Sequence, residues 1–177
     1  MKSLVSYIQE KLVIKKSKKV EYKYFPQTKE ELKDIIKKRI KEEGNEVDLN
    51  DIDVSKITDM SYLFDEIIFN GDISSWDVSK VTNMNAMFQE CKAFNQNISK
   101  WDVSKVKDMS YMFCECELFN QDISDWDVSN VTNMIYMFCG CKSFNQDLSN
   151  WDVSKVKDNV FIFDKCPIEE KYKPKFA

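Results

Sequence analysis

A phrase that returns every 25 residues constrains this chain more than any other feature. FNGDISSWDVSKVTNM, FNQNISKWDVSKVKDM, FNQDISDWDVSNVTNM and FNQDLSNWDVSKVKDN begin at Phe69, Phe94, Phe119 and Phe144, 25 residues apart. Trp76, Trp101, Trp126 and Trp151 share one position of the unit. A worn earlier copy, DLNDIDVSKITDM, puts Leu49 where Ile73 sits and Ile52 where Trp76 sits. A short fixed period marks a repeat architecture, in which one unit cannot bury its own apolar side and stacked neighbours share a continuous core.

Two periodicities lie inside each unit. From Phe94 to Ile98 the alternation Phe94, Gln96, Ile98, with Asn95 and Asn97 on the other face, predicts a short strand. Met84, Met87, Phe88 and Cys91 follow at i, i+3, i+4 and i+7, the spacing of one helix face. The same stripe recurs as Met109, Met112, Phe113, Cys116 and as Met134, Met137, Phe138, Cys141. The predicted fold is an α/β repeat solenoid of about five coils, each a short strand plus a short helix. The coils are 45–68, 69–93, 94–118, 119–143 and 144–168, within a repeat region 45–168.

Residues 20–44 read as a strand plus a capping helix over the first coil. Thr28 and Glu31 form a capping box, Leu32, Ile35, Ile36 and Ile40 make the apolar stripe, and Gly44 stops the helix. Residues 1–19 form a leading segment in which Leu4, Tyr7, Ile8 and Leu12 precede Lys15, Lys16, Lys18 and Lys19. It reads as a solvated linker or as a docking peptide. At the far end Asn159 replaces the repeated Met, Pro167 ends the last helical turn, and residues 169–177 trail away as a tail.

The phrase FNQDISxWDVSxVxxMxxMFxxCxxFNQD, spanning Asp48 to Cys166, resembles the BspA-like leucine-rich-repeat family in its mycoplasma-lipoprotein form. The resemblance implies a leucine-rich-repeat-like, right-handed solenoid used for binding or adhesion. The opening MKSLVSYIQEKL, followed by YKYFPQTKEELK, is similar to the starts of proteins of Bacteroidota and their phages, which implies an intracellular, phage-encoded member.

Composition narrows the function. The chain of 177 residues contains no histidine, which removes every triad or dyad built on imidazole. Its three glycines are not spaced to cradle a phosphate. Residues 1–44 carry 13 Lys and Arg against 7 Asp and Glu, whereas the remainder carries 13 against 23. An acidic array repels a phosphate backbone, so no nucleic-acid partner is expected. Apolar runs are too short for a membrane span, and the opening lacks the order of a secretion signal. The chain reads as cytoplasmic, with reduced cysteines and no cofactor.

Several columns are candidates for function. Tyr62, Ala86, Tyr111, Tyr136 and Phe161 share one outward position, so Tyr62, Tyr111, Tyr136 and Phe161 make an aromatic row that either binds a partner or packs on its neighbours. Asn70, Asn95, Asn120 and Asn145 form a structural ladder, or line an outward face with Asp72, Asn97, Asp122 and Asp147 that suits a basic protein or a sugar. Asp53, Asp77, Asp102, Asp127 and Asp152 cap turns; a calcium site at Asp122, Asp125 and Asp127 is the sharper alternative. Cys91, Cys116, Cys141 and Cys166, with Cys114 and Cys139, read as an inert ladder, a metal site or a redox pair.

The expected function is a non-catalytic module that presents an aromatic and acidic surface to a protein partner. A structural or packaged phage component, and a protein that sequesters a small ligand, are the alternatives.

Overall fold

A computed structural model of the chain describes residues 21–176, so residues 1–19 and their docking-peptide reading lie outside the described residues. The capping helix forms as α1 (Lys29–Glu43). The Thr28 hydroxyl accepts the Glu31 N–H at 3.2 Å, while the Glu31 carboxylate accepts the N–H of Gln27 at 2.7 Å rather than that of Thr28. The capping box therefore closes one residue earlier than usual. Gly44, at φ 93°, ends the helix by donating its N–H to the Ile40 carbonyl. Leu32 and Ile36 are fully buried, and Ile35 and Ile40 pack at the edge of the same core.

Arg39 ties α1 to the first coil. Its guanidinium donates to Asp51 at 2.8 Å, to the Asp48 carbonyl at 3.1 Å and to the Glu43 carboxylate, and it lies 5.2 Å over the Tyr24 ring. A cation so well partnered stays charged despite partial burial.

Beyond Gly44 the strand-and-helix coils do not form. Among the described residues the repeat region holds no α-helix and no strand, only isolated parallel bridges at Asp59, Asn83, Asp108, Asn133 and Asp158. The α/β repeat solenoid is thus corrected to a stack of coils built from turns. The strand expected ahead of the capping helix within residues 20–44 shrinks in the same way, among the described residues, to one bridge, Tyr24 to Ile52.

The reason lies in where the amides go. Met84, Ala86, Phe88 and Glu90 donate to the carbonyls of Asp108, Ser110, Met112 and Cys114 in the next coil at 2.8–3.0 Å. The alternate residues Met87, Gln89 and Cys91 donate three residues back, to Met84, Ala86 and Phe88. A helix needs every amide to bond four residues back, and here half of them serve the neighbour. Ala86 and Glu90 have φ of 52° and 56° at the third position of turns closed by Met87 and Cys91, the geometry of type II turns. Two such turns in succession point Met84, Met87, Phe88 and Cys91 inward, all of them fully buried. Turn pairs and a helix face share that spacing, so the stripe is right and the backbone inferred from it is wrong.

Like residues stack over like. Phe64, Phe88, Phe113, Phe138 and Phe163 form one column with ring centroids 5.3–5.7 Å apart. Phe69, Phe94, Phe119 and Phe144 form a second at 5.8–6.4 Å. The two columns interleave at 4.0–4.4 Å. Each indole N–H reaches one coil back, from Trp76 to the Leu49 carbonyl at 2.9 Å and from Trp126 to that of Ile98 at 3.2 Å. The first of these bonds seats Trp76 on the worn copy in the same way.

The tail does not trail away. A 3₁₀ turn at Glu170–Tyr172 folds back so that the Tyr172 carbonyl accepts the Leu148 N–H at 2.8 Å. Ile168 and Pro174 are buried, and Lys173 lies 5.9 Å over the Phe163 ring. The segment closes one side of the last coil.

Candidate functional site

The aromatic row sits on strained backbone. Tyr62, Ala86, Tyr111, Tyr136 and Phe161 have φ between 52° and 58°, and four residues later Glu66, Glu90, Glu115, Gly140 and Lys165 are also positive. Only Gly140 in these columns is the residue type that such a φ favours. For other L-residues this conformation costs roughly 1–2 kcal/mol each.

The rings partly offset that cost. Tyr111 stacks on Tyr136 at 5.1 Å, and Tyr136 on Phe161 at 5.2 Å. A pair of this kind contributes about 0.5–1.5 kcal/mol, which roughly balances the strain without exceeding it. Tyr62 lacks even that, because the next residue in the column is Ala86. Tyr62 is 46% exposed and Phe161 57%, while Tyr111 and Tyr136 are half-buried. Burial, and then the neighbouring Tyr136, raise the Tyr111 phenol, so it stays a neutral donor.

The acidic and amide residues separate into two devices. The Asn column is a ladder: the side-chain oxygens of Asn70, Asn95, Asn120 and Asn145 accept the N–H of Asn95, Asn120, Asn145 and Glu169 at 2.9–3.0 Å. Asp72, Asn97, Asp122 and Asp147 each accept the N–H of the serine two residues on, at 2.8–3.0 Å, an Asx turn. Asp53, Asp77, Asp102, Asp127 and Asp152 do the same at 3.0–3.1 Å. Turn capping therefore describes both acidic columns. The bonds from Ser124 hold the Asp122 carboxyl below the usual range, and Ser149 does so for Asp147. Asn97 and Asp122 also line an open cleft of about 180 Å³ with Ser99, Lys100, Gln121 and Asp125.

The cysteines divide too. Cys91, Cys116 and Cys141 are fully buried and donate their thiols to the carbonyls of Phe69, Phe88 and Phe113. Cys166, half-buried, does so to Phe144. Burial pushes the Cys91 thiol up to about 12, and Cys116 and Cys141 well up. Buried thiols bound this way pack as small apolar residues. Cys114 and Cys139 lie nearer the surface beside the carboxylates of Glu115 and Asp164, and burial, with Cys139 next, pushes Cys114 up to about 12. Thiols so raised are poor nucleophiles.

Sequence reading missed three exposed features. Val160 precedes Phe161 at 52% exposure, and Ile68 and Leu118 stand out at 65% and 56%. Ile68 lines an open cleft of about 370 Å³ with Glu66, Glu90, Lys92 and Ala93. Asp65 has a buried carboxylate oxygen without a partner among the described residues, and burial followed by Glu66 raises its pKa above the usual carboxylate value. Ile68 and Leu118 occupy one column 50 residues apart with Ala93 between them, a signal visible in the repeat but absent from its consensus.

A family described as Mycoplasma protein of unknown function, DUF285, has a model that matches residues 31–126 and 97–171. No curated protein and no solved structure matches the chain. No helix among the described residues is long and apolar enough to cross a membrane.

Proposed function

The chain belongs to that family of unknown function, and from this premise we propose that it is a non-catalytic module that binds a protein partner along the row Tyr62, Tyr111, Tyr136 and Phe161. One observation carries the reading: aromatic rings occupy positive-φ positions where glycine is cheaper, with Tyr62 and Phe161 exposed and Tyr111 and Tyr136 half-buried between them. Strain retained where stability gains little from it points to use at a surface. Half-exposed tyrosines supply large contact area with a polar edge, as binding surfaces do. Asp72, Asn97, Asp122 and Asp147 add an exposed polar row suited to a basic partner. We extend the family placement to the BspA-like repeats on the phrase FNQDISxWDVSxVxxM, and read a Bacteroidota or phage source from the opening residues.

The test is capture of a defined protein from a lysate of the source cells. The wild-type chain should retain it, and the double substitution Tyr111→Ser with Tyr136→Ser should lose it with circular dichroism unchanged. Equal retention by both chains would remove the row as the contact. Loss of fold in the variant would make the rings packing residues.

A further inference from the structure

The hydrogen-bond ladder of the turns has a direction. Met109, Tyr111, Phe113 and Glu115 donate to the carbonyls of Asn133, Ile135, Met137 and Cys139, and Met134, Tyr136, Phe138 and Gly140 donate to those of Asp158, Val160, Ile162 and Asp164. Every coil thus offers amides toward the C-terminal end. In the last coil the equivalent amides belong to Asn159, Phe161, Phe163 and Lys165, and among the described residues they donate to nothing. The tail closes the other side of this coil through Leu148 and Asn145 and reaches the Phe163 ring, but among the described residues it accepts none of these four amides. Val160 and Phe161 are exposed beside the open amides, and Phe161 ends the ring stack begun at Tyr111 and Tyr136.

We propose that this end of the stack is a docking edge for a peptide segment of a partner protein that takes up the turn pair of a further coil and offers its backbone carbonyls in the same register. Four donors on alternate residues call for acceptors on alternate residues, as Asn133, Ile135, Met137 and Cys139 supply them within the stack. An unpaired ladder edge is a ready template for such addition. A second copy of this chain does not fit. Two such edges would set donor against donor, and the opposite end lies under α1. There Lys33 donates to the Tyr62 carbonyl at 2.6 Å, and Lys29 holds Asp59 and Ser61. The edge is continuous with the coil–coil interfaces already present, so the segment should lay an apolar or aromatic side chain over Phe161, as Phe161 lies over Tyr136.

The inference goes beyond the lateral aromatic row and is tested apart from it. The probe is a synthetic peptide of residues 131–142 bearing C139S and C141S, which carries the carbonyl row that coil 94–118 recognises within the chain. Amide hydrogen exchange of the full chain is followed with and without it. In the free protein the amides of Asn159, Phe161, Phe163 and Lys165 should exchange at least ~100-fold faster than those of Met134, Tyr136, Phe138 and Gly140. The peptide should slow the first set about tenfold or more and leave the second unchanged. Phe161→Gly, which suits the positive φ and removes the ring, should weaken the effect about tenfold. The Tyr111→Ser, Tyr136→Ser chain should keep it, so loss of lateral capture and loss of edge protection read out separately. Amides already slow in the free chain, or slowed by raising protein concentration alone, would overturn the proposal, the latter in favour of a second copy. A peptide that protects none of the four would overturn it as well.

Discussion

Each coil carries two kinds of corner, held by different chemistry. At the Trp-Asp-Val-Ser corner an aspartate accepts the N–H of the serine two residues on, so a local side chain makes the turn. At the Met-Met-Phe-Cys corner Tyr, Phe, Ala, Glu and Lys, with glycine only at Gly140, stand at positive φ. There bonds three residues back close the turns, and the next coil holds the backbone further by accepting the alternate amides. The first corner is held within one unit, while the second takes half of its backbone bonds from the stack. Function is proposed at the second, where geometry depends on neighbours and rings are held half-exposed.

The largest test of that contrast is Trp126→Ala. The indole is 4% exposed and bonded to the Ile98 carbonyl, so its loss should cost about 3–5 kcal/mol in urea unfolding. Because the Met-Met-Phe-Cys corners lean on their neighbours, hydrogen exchange should speed up across several coils together. Faster exchange confined to coil 119–143 would break the comparison.

Alkaline pH should come next, since it acts on several coils at once. Unfolded thiols ionise near pH 8.5, whereas burial holds Cys91, Cys116 and Cys141 neutral in the fold. Their folded values are raised, so the contribution is complete below about pH 8.5 and lost as pH rises toward 12. The urea midpoint should fall between pH 8 and 9.5, and less steeply in Cys116→Ala. A flat midpoint would mean that the thiols are not held in the core.

Gly140→Ala probes the strained corner directly. An added Cβ would lie 2.5 Å from the Glu115 carboxyl group, on backbone at φ 71°. A loss of about 1–2 kcal/mol is expected from the backbone preference alone. At the other corner Asp127→Ala removes one turn bond and should cost about 1 kcal/mol.

The smallest effect should have opposite sign at the two corners. Glu90→Gly relieves φ 56° and should gain about 0.5 kcal/mol. Asp77→Gly should lose stability, because it deletes the Ser79 bond. Equal signs by thermal melting would show that strain is not concentrated where the rings stand.

Side-chain direction was legible at nearly every buried position. Met84, Met87, Phe88 and Cys91 point inward as their spacing requires, and Thr28 and Gly44 bound the helix as their chemistry predicts. The Asx turns followed from Asp-Val-Ser. The helix inferred from the Met stripe failed because that spacing serves a pair of type II turns equally well. With Ala86 and Glu90 in place of glycine, no residue type announced the positive φ. The aromatic row was visible as a column, but its strain was not.

The period, the identity of each column, the capping helix and the capping of one corner could be read from the residues alone. These depend on spacing and on bonds within a few residues. That the Met-Met-Phe-Cys segment is a turn pair, that the tail folds over the last coil, and that four amides at 159–165 face the C-terminal end follow from the packing of coil on coil. An amide's choice between a carbonyl of its own coil and one of the next is set by the neighbour's position, which stacking creates.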